Sequence, residues 1–263
     1  MIWITDAVRR GVSVVRDTPL EAPARFARSL WWDLSGRVPQ HERYDRQTVA
    51  ILERAVSSDS NCIDVGAHRG AILQTIQRVA PYGRHLAIEP LPHLATDLQA
   101  RFPDVDVRSC ALSDVTGRVT FTHVVSAPAY SGLQSRVDLP AWSEIEQLEV
   151  PLERLDDLVD PETPIAFVKI DVEGAELSVL RGAVSTLQRW RPVVVFEHGL
   201  GGADAYGALP EDVFDFLAAC GLQVSRLNDW LQGRSHLSRR AFCEEFYERR
   251  EYVFVADANS SRM

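Results

Sequence analysis

From Asn61 onward, short apolar runs alternate with longer segments whose apolar residues recur every three or four positions. "NCIDV" has the length and composition of a buried strand, and Ile72, Leu73, Ile76, Val79 and Ala80 then repeat at helical spacing. "RHLAIE" predicts a second strand, followed by a helical face of Leu91, Leu94, Ala95, Leu98 and Phe102. "VDVRSCAL" reads as a third strand, and "RVTFTHVV" and "LEVPLERL" are β-like on either side of a polar loop over 126–143. "PIAFVKID" predicts another buried strand, with Leu177, Leu180, Val184 and Leu187 on one face of the helix behind it. "RPVVVFEH" follows as a core strand, then a helical stripe of Val213, Phe216, Leu217 and Cys220, then "LQVSRL" and "EYVFVA" as the last strands. Strands separated by helix-length segments are the mark of βαβ units and a mainly parallel α/β sheet, whose crossovers are right-handed. In such sheets a ligand sits beyond the carboxyl ends of the strands, where the strand order reverses.

Residues 1–45 stand outside this alternation. "APARFARSLWWDLSGRVP" has helical spacing at Phe26, Leu30 and Trp31, with Gly36 and Pro39 as stop signals. The expected organisation is a helical cap over 1–45 and one domain over 46–263. Trp31 and Trp32 suit core packing, a substrate or a second subunit, so a homodimer is one expectation.

Composition narrows the field. A chain of 263 residues with 46% hydrophobic residues can bury a sizeable core. A formal charge of −9 sets up a field that repels phosphate backbones, so no nucleic-acid partner is expected. The arginines between Arg234 and Arg250 are interleaved with Glu244, Glu245 and Glu248. Cys62, Cys110, Cys220 and Cys243 are far apart and read as buried free thiols of a reducing, cytoplasmic protein. Asp6, Arg9, Arg10, Arg16 and Asp17 break up any signal-peptide core, and no apolar run is long enough for a membrane span.

The candidate chemistry clusters at strand ends. Asp64 ends the first strand, and Gly66 and Gly70 bracket the turn into a helix, where small residues admit unusual dihedrals and a close approach to the backbone. No Gly-Lys-Ser/Thr follows, and Ala67 and His68 stand where a dinucleotide motif needs glycine. Glu89, before Pro90, comes about 20 residues later, the interval of an acid that holds ribose hydroxyls. "KIDVEGAE" places Asp171, Glu173 and Glu176 at the end of a buried strand. Glu176 reads as a helix-start acid favoured by the dipole, and Lys169 as a member of a structural ion pair.

"CIDVGAHRG", "AIEP", "CALSD", "VKIDVEGAELSVLRGA" and "RPVVVFEHG" occur in the order seen in FkbM-type methyltransferases, which the chain resembles over about residues 45–257. The resemblance implies a Rossmann-like class I methyltransferase fold, with a seven-stranded, mostly parallel sheet whose last strand is antiparallel. It implies S-adenosylmethionine as cofactor, with Asp64, Gly66 and Gly70 at its methionine end and Ala67 and His68 between them. Glu89 then holds the ribose beside Pro90. Ser109, Ala111 and Leu112 lie near the adenine, and Asp171 lies near the amino group and the reacting centre. Many relatives carry Asn where His68 stands.

The resulting expectation is an O-methyltransferase acting on a small-molecule acceptor with a hydroxyl, such as a glycosyl unit or polyketide. His198, after Glu197 at the end of its strand, is the favoured base, with Asp171 and Glu173 as the other catalytic candidates. A second route has Asp171, Glu197 and His198 holding Mg²⁺ to acidify the hydroxyl. The loop Ser126–Arg136 with Tyr130, and the later insert with Trp230 and His236, suit substrate recognition or ordinary loop packing. A nicotinamide-dependent oxidoreductase and a non-catalytic binding subunit are the alternatives.

Overall fold

Parallel strands covered on both faces need continuous apolar sequence, and the first two strands are buried at nearly every position. The computed structural model describes residues 38–125, 131–133 and 144–258. Two compact units divide the chain, Met1–Arg46 and Gln47–Met263. Most of the expected helical cap, with Trp31 and Trp32, lies outside the described residues.

The described chain opens with α1 (Gln40–Ala55), followed by β1 (Asn61–Val65), α2 (Ala71–Val79), β2 (His85–Ile88), α3 (Pro92–Arg101) and β3 (Asp106–Arg108). Next come β4 (Ala111–Leu112), β5 (Gly117–Val124), β6 (Ile145–Glu153) and the single turn α4 (Leu155–Leu158). The second half holds β7 (Ile165–Ile170), α5 (Glu176–Arg181), α6 (Val184–Trp190), β8 (Val193–Glu197) and a 3₁₀ turn, Ala203–Tyr206. It closes with α7 (Pro210–Ala219), β9 (Gln223–Arg226), α8 (Leu227–Leu231), α9 (Arg239–Tyr247) and β10 (Val253–Asp257).

Seven of these strands form one sheet in the order β3-β2-β1-β7-β8-β10-β9. β10 runs antiparallel to both of its neighbours, and the remaining pairs are parallel. This is the Rossmann-like α/β sheet expected from the sequence, with its last strand reversed. The order turns back on itself between β1 and β7. Ile63, Val65, Val168, Ile170 and Phe196 bury one face against Leu180 and Leu187, Leu217, and Phe242. Ala87 on the other face packs with Leu73, Leu98 and Phe102.

Two expected elements are broken. "VDVRSCAL" splits at Ser109–Cys110, because β3 closes the edge of the large sheet while β4 joins a second sheet, β4-β6-β5. The apolar alternation continues across the join, so periodicity alone does not reveal it. The long helix expected after β7 is two helices. Gly182 lies so close to the loop after β4 that a Cβ there would sit 2.0 Å from the Ser113 carbonyl oxygen. The chain restarts at Val184, where the Asp156 carboxylate accepts from the N–H groups of Ser185 and Thr186 at 2.8 and 2.9 Å. A cap borrowed from α4 thus satisfies the new helix start.

All four cysteines are free and buried. Burial pushes the Cys62 thiol up to about 12. No described helix is long and apolar enough to cross a membrane.

Candidate active site

The ends of β1, β2 and β7 meet where the strand order reverses, with Val65 beside Ile88 on one side and Ile170 on the other. Beyond β1 the chain makes a tight turn. The N–H groups of Gly66 and Ala67 both donate to the Ile88 carbonyl at 3.0 Å. Gly66, His68 and Gly70 all have positive φ, of 74°, 49° and 74°. For His68 this is a strained conformation. It is held by Glu89, whose carboxylate accepts from the His68 N–H at 2.7 Å and from the Leu91 N–H at 3.0 Å. Glu89 is 3% exposed, and burial raises its pKa while these two N–H groups lower it.

Gly66 has a reason to be glycine that the sequence did not disclose. A Cβ there would lie 1.9 Å from the Asp171 carbonyl oxygen. At Gly70 a Cβ would meet Leu98 and Phe102 at 2.7 Å. The protein's own atoms are thus enough to exclude side chains from this turn, and both glycines have the unusual dihedrals expected of them.

Lys169 lies in β7 beside Asp64. Its ammonium donates to the Gly66 carbonyl at 2.9 Å and stands 3.3 Å from Asp171 Oδ2 and 3.6 Å from Asp64 Oδ1. Burial works against its charge, but Asp171 and Asp64 more than offset that and keep it protonated. The structural ion pair expected of Lys169 is therefore present. Asp64 is 1% exposed; the Lys169 ammonium and the Leu73 N–H act on its carboxylate, but neither makes a close hydrogen bond to it. At 3.6 Å the lysine contact is an ion pair without a hydrogen bond. Burial raises the Asp64 pKa, and Lys169 pulls it back in part.

Asp171 continues the β1–β7 ladder, its N–H donating to the Val65 carbonyl at 3.1 Å, and its side chain is 42% exposed. Glu173 has φ 58° and Gly174 φ 114°, so the turn after β7 is as tight as the one after β1. Glu176 braces it. Its Oε1 accepts from the N–H groups of Gly174 and Val172 at 3.0 and 3.2 Å, while Oε2 is buried without a partner. Burial pushes this carboxyl up to about 7. Sequence reasoning gave Glu176 only a helix-start role. The missed signal was its place between Ala175 and Leu177, which are both buried.

The structure thus brings Asp64, Gly66, Ala67, His68, Gly70, Glu89, Pro90, Asp171 and Glu173 to adjoining strand ends. Ser109, exposed after β3, is next to them, since the Glu89 N–H donates to the Arg108 carbonyl at 3.1 Å. Ala111 and Leu112 are buried in β4 of the second sheet.

His198, the expected base, lies in an apolar setting. It follows β8 at the same edge of the sheet, and its N–H donates to the Tyr252 carbonyl at 2.7 Å. Its imidazole is fully buried, stacked on Phe246 at 4.7 Å and Phe242 at 6.0 Å between ring centroids. Neither ring nitrogen has a partner, and burial pulls its pKa down to about 4, against a smaller opposing pull from Glu211. A shielded imidazole of that basicity is poorly suited to take a proton from a hydroxyl. The expected Mg²⁺ trio is likewise not assembled: Asp171 faces Lys169, His198 faces phenyl rings, and the described residues contain no group of three His, Cys, Asp or Glu arranged for a metal.

Trp230 and His236 also have structural partners, both hydrogen-bonded to the Asp257 carboxylate, at 3.0 and 2.9 Å. Tyr130 and most of its loop lie outside the described residues. A surface groove beside Trp190, Arg191 and Ala258 opens at the amino ends of β8 and β9, the opposite edge from the carboxylates.

The chain is similar to several known proteins. Over 259 residues it is 26% identical to the AMB antimetabolite synthetase AmbE of Pseudomonas aeruginosa, covering 82% of this chain and 12% of that protein. Over 146 residues it is 27% identical to Methyltransferase 1 of Beauveria bassiana, covering 47% of this chain and 58% of that one. The chain therefore spans only part of the length of both curated relatives. A crystal structure of methyltransferase FkbM from Methylobacillus flagellatus aligns with a TM-score of 0.48 at 18% identity, over 77% of this chain and 44% of that one. The Methyltransferase FkbM domain matches residues 64–224, more than half of the sequence, and the chain belongs to that family.

Proposed function

We propose that this chain is an S-adenosylmethionine-dependent O-methyltransferase that modifies a hydroxyl of a small natural product. The observation that carries the reading is Asp64: a carboxylate buried at the switch point of the sheet, with the Lys169 ammonium 3.6 Å away and no close hydrogen bond to either oxygen, keeps acceptor capacity for a cation. The other residues fit the same cofactor. Glu89 uses one lone pair of each oxygen on the backbone and keeps others for ribose hydroxyls. The start of α2 offers N–H groups to a carboxylate. When bound, the cofactor supplies an electrophilic methyl on a sulfonium.

The chain's own part is positioning and proton removal. The turns after β1 and β7 are fixed by Glu89 and Glu176, so the groups between them keep their places. Asp171, half exposed and next to Lys169, is the carboxylate best placed to take the proton of an acceptor hydroxyl. The kinship with an antimetabolite synthetase supports a natural-product acceptor, and four free buried thiols suit a reducing cytoplasm.

Isothermal calorimetry tests the cofactor. Binding of S-adenosylmethionine and S-adenosylhomocysteine, weakened by Asp64→Asn, is the expected result. Binding of NADH with neither of these bound would overturn it. Transfer of labelled methyl to hydroxylated acceptors, lost when the hydroxyl is blocked, tests O-methylation.

A further inference from the structure

Lys169 carries the charge that runs against the proposed occupant. Three carboxylates at these strand ends, Asp64, Glu89 and Asp171, suit a cationic cofactor, and the lysine ammonium does not. Nor does it extend to solvent as most lysines do. It is held by the Gly66 carbonyl at 2.9 Å, flanked by Asp171 and Asp64 at 3.3 and 3.6 Å, and fixed in β7 by pairing with β1.

S-adenosylmethionine and its spent thioether share their ammonium, carboxylate, ribose and adenine. They differ by a methyl and one positive charge at sulfur. A change in shape or packing away from the sulfur therefore moves both affinities together. A change in the local field moves them apart. Two unit charges roughly 8–12 Å apart at an effective dielectric of about 20 change such a ratio by roughly ten- to thirtyfold.

We propose that Lys169 sets the balance between the charged methyl donor and its neutral product, its ammonium disfavouring the sulfonium relative to the thioether. This rests on the S-adenosylmethionine reading above. The charge that Lys169 opposes is the one that methyl transfer removes, so the penalty is relieved as the reaction proceeds. Lys169 is a positioning residue for the Gly66 turn and, through its charge, a determinant of donor-over-product selectivity.

The test compares Asp64→Asn with the double variant Lys169→Met, Asp64→Asn, measuring calorimetric affinities for both ligands at fixed pH. The double variant leaves no buried carboxylate at position 64 stripped of its counter-ion, so it avoids the cost that threatens Lys169→Met alone. Thermal melts confirm that each variant folds. Removing the lysine is expected to raise the preference for S-adenosylmethionine over S-adenosylhomocysteine about tenfold. Equal changes in both affinities, or a fall in the ratio, would leave Lys169 a purely structural residue and overturn the proposal. Wild-type protein that binds neither ligand would overturn the cofactor reading and this inference with it, a result distinct from intact binding with an unmoved ratio.

Discussion

The ends of β7 and β8 lie side by side in one sheet, and both carry buried titratable groups. At the end of β7, Lys169, Asp171 and Glu176 sit among carbonyls, carboxylates and N–H groups that hold a strained turn in place. After β8, His198 is enclosed by Phe242 and Phe246 and finds no polar partner at either ring nitrogen. The first environment prepares charge for use. The second keeps an imidazole neutral. Two groups at one edge of a sheet thus differ in protonation because their surroundings differ.

The largest expected effect is on backbone fit. Gly66→Ala would force a Cβ to 1.9 Å from the Asp171 carbonyl oxygen at φ 74°. A loss of about 3 kcal/mol or more is expected, a fall in Tm of roughly 10 °C, with cofactor affinity abolished. The counterpart at β8 is Gly199→Ala, whose Cβ would meet Tyr252 Cβ at 2.7 Å without a positive φ. Its expected cost is about 1–2 kcal/mol. Thermal melts that reverse this order would show that the turn after β1 is looser than its geometry indicates.

The next effects depend on pH and have opposite signs. Glu176 ordinarily titrates at 4.5 and is pushed up to about 7, so the native state holds a proton that the unfolded state releases. Its contribution is fully present below pH 4.5 and is lost as pH rises through 7, by about 3 kcal/mol. His198 ordinarily titrates at 6.5 and is pulled down to about 4, so the unfolded state binds the extra proton. Its contribution is present above pH 6.5 and is lost as pH falls toward 4, by a similar amount. Between pH 4.5 and 6.5 the two slopes offset one another. In Glu176→Gln stability should therefore rise with pH over that interval more steeply than in wild type. In His198→Phe it should fall. Urea midpoints measured at several pH values give both slopes. His198→Phe should also retain methyl transfer, and a loss of transfer with stability intact would restore the histidine as base.

Much of this was legible in the sequence, for a physical reason. Strands buried on both faces need unbroken apolar runs, so β1, β2, β7 and β8 were visible as such, and the acids that end them marked the candidate site's edge. What stayed hidden depends on contacts distant in sequence. The break at Gly182 comes from Ser113, some 70 residues away. The need for glycine at position 66 comes from the Asp171 carbonyl, and the neutrality of His198 comes from two phenylalanines of α9. Sequence pattern gives the type of a residue and its element, but not the neighbour that sets its pKa.

The smallest effects separate the strand-end acids themselves. Glu89 accepts from two backbone N–H groups, one of them on strained His68. Glu89→Gln replaces one accepting oxygen with an NH₂ group that faces an N–H donor, which costs about 1–3 kcal/mol at the turn. S-adenosylhomocysteine affinity should fall about tenfold, from the disturbed turn and the lost ribose acceptor together. Glu197, half-buried at the end of β8, stands two strands away from β1, and Glu197→Gln should change affinity by less than about twofold. Calorimetry on the two variants is a direct comparison, because each exchanges one carboxylate for its amide at a strand end. If the Glu197 variant loses as much affinity as the Glu89 variant, the cofactor site extends across the end of β8. His198 would then border bound ligand, and the phenyl rings around it would be one wall of the active site instead of a closed core.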